Sequence, residues 1–203
     1  MKVGIVDYGM GNLNSVFNAI ESLGVNVKIC HNPSDLQDID KIVLPGVGSF
    51  HHAMKNLREK NFLDILNEKV IINKRPFLGI CLGMQLLLTD SEEGGSEKGL
   101  DWISGSVKKI NFTNVRVPHI GWNNIEYKFK HDIFNNIPQN TDFYFVHSYH
   151  VCCNNLSQVI AECEYGLIPI AAVIQNEHIY GVQFHPEKSQ ESGQKLISNF
   201  LSI

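Results

Sequence analysis

No stretch of this chain is apolar for long enough to cross a bilayer as a helix. The longest apolar runs, such as Ile168 to Ile174, fall far short of the ~20 residues that a helical span requires. No excess of positive charge is present either: 17 Lys and Arg face 21 Asp and Glu, a net charge of −4. With no dense basic cluster, a broad nucleic-acid surface is excluded. Cysteine is sparse and unpatterned. Cys30, Cys81, Cys152, Cys153 and Cys163 include no C-x-x-C spacing and no matching histidine set, which excludes a zinc site or a disulfide framework. The odd number of thiols, and an N-terminus where Asp7 arrives too early for a signal peptide, lead us to expect a cytoplasmic location with reduced cysteines. Histidine is plentiful at nine, yet His51-His52 lacks the i, i+4 spacing of two ligands on one helix face, so no metal is expected. His119, His147 and His150 read as hydrogen-bonded structural groups. Gly9-Met10-Gly11 follows a strand and opens a helix, but Asn14 stands where a dinucleotide fingerprint needs its third glycine. Cys30 and His31, with no acid, end the second strand, so nucleotide binding is excluded as well.

What the chain does contain is an ordinary globular composition, 43% hydrophobic and 19% charged, over 203 residues. That length builds one substantial α/β domain and is short for two. The first half alternates strand and helix. Lys2–Asp7, Val25–Cys30, Lys41–Leu44 and Pro76–Ile80 read as strands. Asn12–Leu23, with apolar residues at helical spacing, and Phe50 to roughly Val70 read as helices. Beyond Asp90 a polar loop over Ser91–Glu97 precedes shorter strands at Val107–Phe112, Asn123–Tyr127, Asp142–His147, Val159–Glu164 and Ile179–Phe184. Gln190–Leu201 reads as a closing helix. No linker or repeat divides residues 1–203. The rhythm predicts a single three-layer α/β domain with a central, mostly parallel sheet and an antiparallel extension.

Chemistry concentrates at three places. Cys81 lies at the centre of Gly79-Ile80-Cys81-Leu82-Gly83, between the apolar run Pro76-Phe77-Leu78 and a helix expected to begin through Met84–Leu88. This is the pattern of a nucleophile elbow, where flanking small residues let a strand turn sharply and expose the central side chain. The helix start is expected to turn its amides and positive dipole end towards the sulfur, favouring the thiolate. Far downstream, His185-Pro186-Glu187 offers a base and a carboxylate that project to one side of an extended segment. A cysteine nucleophile needs such a base and a group that fixes its tautomer. Finally, Pro45-Gly46-Val47-Gly48 closes the third strand. Such a turn is most simply a β-to-α connection, and it can also present amides to an oxyanion, with the Leu82 amide as a second donor. The adjacent Cys152 and Cys153 read as strand or loop filler, and the acidic run Glu92–Glu97 as a solvated loop.

These residues, with Asp7-Tyr8-Gly9-Met10-Gly11-Asn12, Val117-Pro118-His119-Ile120-Gly121-Trp122-Asn123, Tyr144-Phe145-Val146-His147-Ser148-Tyr149 and Gly181–Ser189, run in the order of a known family. From end to end the chain resembles the class I, triad-type glutamine amidotransferases. Within them it is similar to the subunits that work beside a (β/α)₈-barrel cyclase or synthase in histidine biosynthesis. The resemblance implies glutamine hydrolysis with Cys81 as nucleophile, His185 as base and acid, and Glu187 as its orienting partner. It implies an oxyanion hole from the Val47 and Leu82 amides, and glutamine held by Gln85, Ser148 and Tyr149 with Gly48 nearby. Asn12, Trp122 and Lys188 would lie towards the barrel partner; as plain structure they would be a helix cap, a core residue and a solvated charge. No cofactor is implied. Three other readings stay open: the same chemistry serving a surface-sugar amidotransferase, a catalytically silent regulatory subunit, and a stand-alone thiol hydrolase.

Overall fold

A computed structural model of the chain describes residues 1–113 and 115–203. Among these described residues thirteen strands run in chain order: β1 (Lys2–Val6), β2 (Asn26–Cys30), β3 (Lys41–Gly46), β4 (Phe77–Cys81), β5 (Leu88–Ser91), β6 (Glu97–Lys98), β7 (Ile103–Lys109), β8 (His119–Tyr127), β9 (Thr141–His147), β10 (Tyr149–Cys153), β11 (Val159–Tyr165), β12 (Ile168–Asn176) and β13 (Ile179–Val182). The α-helices are α1 (Leu13–Glu21), α2 (Phe50–Glu59), α3 (Phe62–Leu66), α4 (Leu82–Gln85) and α5 (Gln190–Ser202).

A nine-stranded sheet in the order β2-β1-β3-β4-β13-β12-β11-β8-β9 forms the centre. Its first five strands pair in parallel. From β13 to β9 every pairing is antiparallel. The expected antiparallel extension is thus as broad as the parallel half. Neighbouring residues of the parallel strands enter opposite cores, as a sheet buried on both faces requires. Val43, Leu78 and Ile80 pack with α1 and α5. Ile42, Leu44 and Phe77 pack with α2 and α3 and with a second, four-stranded sheet in the order β10-β7-β5-β6.

Four expectations are corrected. The helix expected over Phe50–Val70 is broken at Asn61, whose left-handed backbone (φ 58°) separates α2 from α3, and the chain continues as a π-helical turn over Asn67–Ile72. The helix expected through Met84–Leu88 is the single turn α4, and Leu88 opens β5 of the second sheet. Ile168–Ile174, read only as an apolar run, belongs to β12 in the middle of the large sheet, where both faces are covered. The strand expected over Val107–Phe112 starts earlier, at Ile103, where β7 pairs with β5. Cys152 and Cys153 lie in β10 against β7, which agrees with filler in a strand.

Candidate active site

The carboxyl ends of three adjacent strands, β3, β4 and β13, build the site, which is where open α/β sheets hold ligands. Cys81 ends β4 with φ 54° and ψ −106°, a conformation an L-residue adopts only under tertiary constraint. The two elbow glycines supply that constraint. A Cβ on Gly83 would collide with the Leu44 carbonyl of β3, and one on Gly79 would come within 2.6 Å of the Gly83 carbonyl carbon. Only glycine at both positions lets the strand, the turn and β3 close together. Because α4 has a single turn, its dipole field at the sulfur is smaller than the sequence suggests. The sulfur has instead two direct polar neighbours: it sits 3.8 Å from the Val146 carbonyl and accepts from Gln183 Nε2 at 3.7 Å.

Beyond β13 the chain does not stay extended as expected: Pro186–Lys188 forms a 3₁₀ turn with Pro186 at its first position, closed by the Lys188 amide on the His185 carbonyl, and this turn brings Glu187 back to His185. The Gln183 amide donates to the Ala172 carbonyl and the His185 amide to that of Tyr144. His185 Nδ1 donates to Glu187 Oε1 at 2.7 Å, with both side chains buried. That bond fixes the tautomer and leaves Nε2 as the ring atom that can exchange a proton; Nε2 is buried with no hydrogen-bond partner among the described residues. Burial pushes the imidazole pKa down, but the neighbouring Cys81 and Glu187 outweigh it and carry the value up to about 10. His185 is therefore a strong base directed at the thiol.

Cys81, Val47, Gly48, Leu82, Gln85, Ser148 and Tyr149 line one cavity of about 330 Å³, together with Glu93, Pro118, Val146 and His147. A buried nucleophile with an oriented base behind it and an amino-acid-sized cavity in front fits hydrolysis of a small acyl substrate through a thioester.

Residues 4–203 match the sequence profile of the family Glutamine amidotransferase class-I. The chain belongs to that family. Among curated relatives it is 47% identical to imidazole glycerol phosphate synthase subunit HisH 1 of Campylobacter jejuni (strain RM1221), over 99% of this chain and 100% of that one. It is 44% identical to subunit HisH 2 of Methanococcus maripaludis, over 98% of both chains. Its fold is similar to that of a solved glutamine amidotransferase, with TM-score 0.74 at 19% identity over 98% of this chain and 97% of the other. The PurLQS structure from Thermotoga maritima is similar too, with TM-score 0.76 at 17% identity over 99% and 97%.

In this amidotransferase all nine residues expected at the catalytic and substrate positions are close together, the pocket set around Cys81 and the His185–Glu187 pair behind it. Gln85 is more tightly used than a simple substrate contact, since its Nε2 donates to the Tyr149 carbonyl at 3.0 Å and to Gln183 Oε1 at 3.1 Å. The three expected partner-facing residues lie on the surface. Asn12 is exposed and caps α1 by accepting from the Ser15 amide. Trp122 is 49% exposed, so the core reading of that residue is wrong. Lys188 is exposed, with Nζ 5.9 Å from the Tyr144 ring, against whose edge Trp122 also rests.

Glu93, Pro118, Val146 and His147 on the cavity wall were not foreseen as site residues, nor was Gln183, which donates to the Cys81 sulfur. Gln183 lies just past the end of β13, and its place two residues before His185 is its one sequence signal. Glu93 had no such signal, because Glu92–Glu97 reads as a solvated loop. That reading is corrected: Glu93 accepts from the Phe50 amide at the start of α2 at 2.7 Å, and Glu97 pairs with Arg58 at 2.6 Å and His51 at 2.8 Å. The amino end of α2 and the cations on it draw the acidic loop down onto the pocket rim.

Proposed function

We propose that residues 1–203 form one glutaminase domain in which Cys81, His185 and Glu187 hydrolyse L-glutamine to glutamate and ammonia, and that it is the glutaminase subunit of imidazole glycerol phosphate synthase. The observation that carries the reading is the strained Cys81 in the cavity, backed by a buried imidazole whose basicity depends on that sulfur and on Glu187. His185 takes the thiol proton and the sulfur attacks the side-chain carboxamide carbon. The resulting oxyanion rests on the Val47 and Leu82 amides, and the imidazolium gives its proton to the departing nitrogen as ammonia leaves. A water, deprotonated by His185, then attacks the thioester; the carbon–sulfur bond breaks and glutamate is released. Glu187 orients the ring throughout. Gln85, Ser148 and Tyr149 hold the substrate, and the Glu93 carboxylate complements its ammonium group.

Ammonia is protonated, and useless as a nucleophile, if it escapes into neutral water. The reading therefore includes a (β/α)₈-barrel cyclase partner in the cytoplasm, which receives ammonia under cover. Val47, which is exposed, lines the cavity; the exposed Val117 adjoins Pro118 of its wall, and Ile120 and Trp122 continue the exposed apolar surface along β8. This supports a covered face there, with Asn12 and Lys188 at its edge. No helix among the described residues is long and apolar enough to cross a membrane. The test is to reconstitute the chain with the histidine-pathway cyclase and follow glutamine-dependent and ammonia-dependent product formation. Failure to bind that cyclase, with a sugar-pathway synthase co-purifying instead, would reassign the acceptor.

A further inference from the structure

The catalytic reading leaves unused two buried histidines in the motif stretches Val117–Asn123 and Tyr144–Tyr149. His119 on β8 and His147 on β9 are directly opposed in the antiparallel register. His147 Nδ1 lies 2.8 Å from the Tyr149 carbonyl, which can only accept, so Nδ1 carries the proton. His147 Nε2 is then a lone pair, and His119 Nδ1, 3.0 Å away, must donate to it. That leaves His119 Nε2 as an acceptor, facing Asn123 Nδ2 at 3.4 Å. The second hydrogen of that amide goes to the Glu164 carbonyl at 2.9 Å. Every donor points the same way, from Asn123 through His119 and His147 to the Tyr149 carbonyl.

The rings have little freedom to break this order. His119 is stacked between Tyr165, 4.0 Å away, and Phe145, 4.9 Å away. A second proton on either imidazole would set two N–H groups against each other. Burial keeps both neutral, with His119 down to about 4 and His147 to about 3, and His119, His150 and His185 as cations would further oppose a charge on His147. The chain of donors ends in the substrate cavity. The Tyr149 carbonyl takes its other hydrogen bond from Gln85, which also braces Gln183, the donor to the Cys81 sulfur. The opposite face of β8 carries the exposed Ile120 and Trp122.

We infer that Asn123, His119 and His147 form an uncharged, one-way hydrogen-bond relay whose positioning role is to set the Tyr149 carbonyl and Gln85 for glutamine binding. This inference rests on the cavity being the glutamine site. The relay makes three residues positioning residues for the reaction, and it runs from the strand beneath the apolar mouth to the substrate.

Two measurements test it. In nitrogen-15 spectra of the full-length chain, His119 and His147 should both be Nδ1–H tautomers and stay neutral from pH 8 to about 5.5. An Nε2–H tautomer at either residue, or titration near the ordinary value, overturns the relay whatever the substrate is. In the reconstituted complex, His119→Phe keeps the stacking and deletes both polar contacts. The glutamine KM should rise about tenfold, the equivalent of one lost hydrogen bond, with kcat much less affected. His119→Asn, whose amide can replace the Nδ1 donor, should recover much of that loss. Equal behaviour of the two variants, or a fall in kcat at unchanged KM, overturns the positioning role. Should His119→Phe not fold, Asn123→Asp at the half-buried end replaces a donor by an acceptor and should place a proton on His119 Nε2. An unchanged His119 tautomer in that variant counts against the relay. Absence of glutamine turnover in the unsubstituted complex would instead sink the assignment of the cavity.

Discussion

At the scale of single residues the cavity separates groups that react from groups that hold them. Cys81→Ala and Cys81→Ser are expected to abolish glutamine hydrolysis while the chain stays folded, because either replacement fits the elbow. Ammonium salt should still support product formation in the complex, since only the ammonia source is lost. Near-normal glutamine-dependent turnover in either variant would remove Cys81 from the nucleophile's role. His185→Asn should lower activity by ~10²–10⁴-fold, and by more than Glu187→Gln, because the base moves protons and the acid only orients it. Steady-state glutaminase assays rank the two, and equal, negligible losses would favour a silent subunit. A pH effect belongs at this scale too. His119 and His147 are pushed by burial from an ordinary 6.5 to about 4 and about 3. Below pH 6.5 the unfolded chain binds protons that the folded chain refuses, so stability present above 6.5 drains away as pH falls towards about 4. Urea titrations between pH 7 and 4.5 should show a shallower acid slope for His119→Phe than for the parent, and identical slopes would refute the assignment. The reacting residues were legible in the sequence because the glycine spacing and the closeness of His185 to Glu187 are local signals, although a 3₁₀ turn and not strand alternation makes that pair meet. Glu93 was not, since only the folding of its loop onto the start of α2 brings it to the cavity.

At the scale of elements, the parallel strands and the helices α1 and α5 follow directly from apolar periodicity. The failures have separate physical causes. Phe50–Val70 has a helical pattern throughout, and a single left-handed Asn61 re-aims its second half. Met84–Leu88 is apolar enough to be helix, yet Leu88 is claimed by pairing with Ile103 in the second sheet, a tertiary contact that overrides propensity. β12 is apolar on both faces, so alternation gives no sign of it. The elbow itself is the element whose requirement is most rigid. Gly83→Ala drives a methyl into the Leu44 carbonyl, and backbone cannot move aside as a side chain tip can. The expected destabilisation is about 1–3 kcal/mol, with a loss of glutaminase activity because Leu82 and Cys81 shift with the turn. Chemical denaturation of Gly83→Ala beside Gly24→Ala, whose φ of 75° strains an alanine but whose added Cβ meets no described atom within 4 Å, compares a steric clash with left-handed backbone strain alone. A negligible loss in Gly83→Ala would mean that the close approach at the elbow is not what demands glycine.

At the scale of the whole molecule, the site stands beneath an apolar rim and one wall of it is a turn able to change shape. Gly48 has φ 104°, and the Met10 side chain reaches to 2.8 Å from where its Cβ would be, so the turn Pro45–Gly48 is held by the loop that follows β1 as well as by β3. Beneath it the Tyr8 hydroxyl is buried against Gly46 with no hydrogen-bond partner among the described residues. Glycines on either side of Val47 let the Val47 peptide turn over at small steric cost. Val47 is itself 43% exposed at the rim, within reach of whatever covers it. A partner that binds only the oxyanion-ready orientation shifts the population towards it, by no more than its preference for that state. The isolated chain should therefore hydrolyse glutamine slowly, faster with the barrel partner, and fastest when the partner also holds its nucleotide substrate. Because coupling between binding sites is reciprocal, glutamine bound to a Cys81→Ala complex should tighten that nucleotide by the same factor by which the nucleotide tightens glutamine. Initial rates for the chain alone, with partner, and with partner and nucleotide decide the matter. Full turnover by the lone chain would mean that the oxyanion hole is already built in the free subunit, and that the apolar rim serves assembly without governing catalysis.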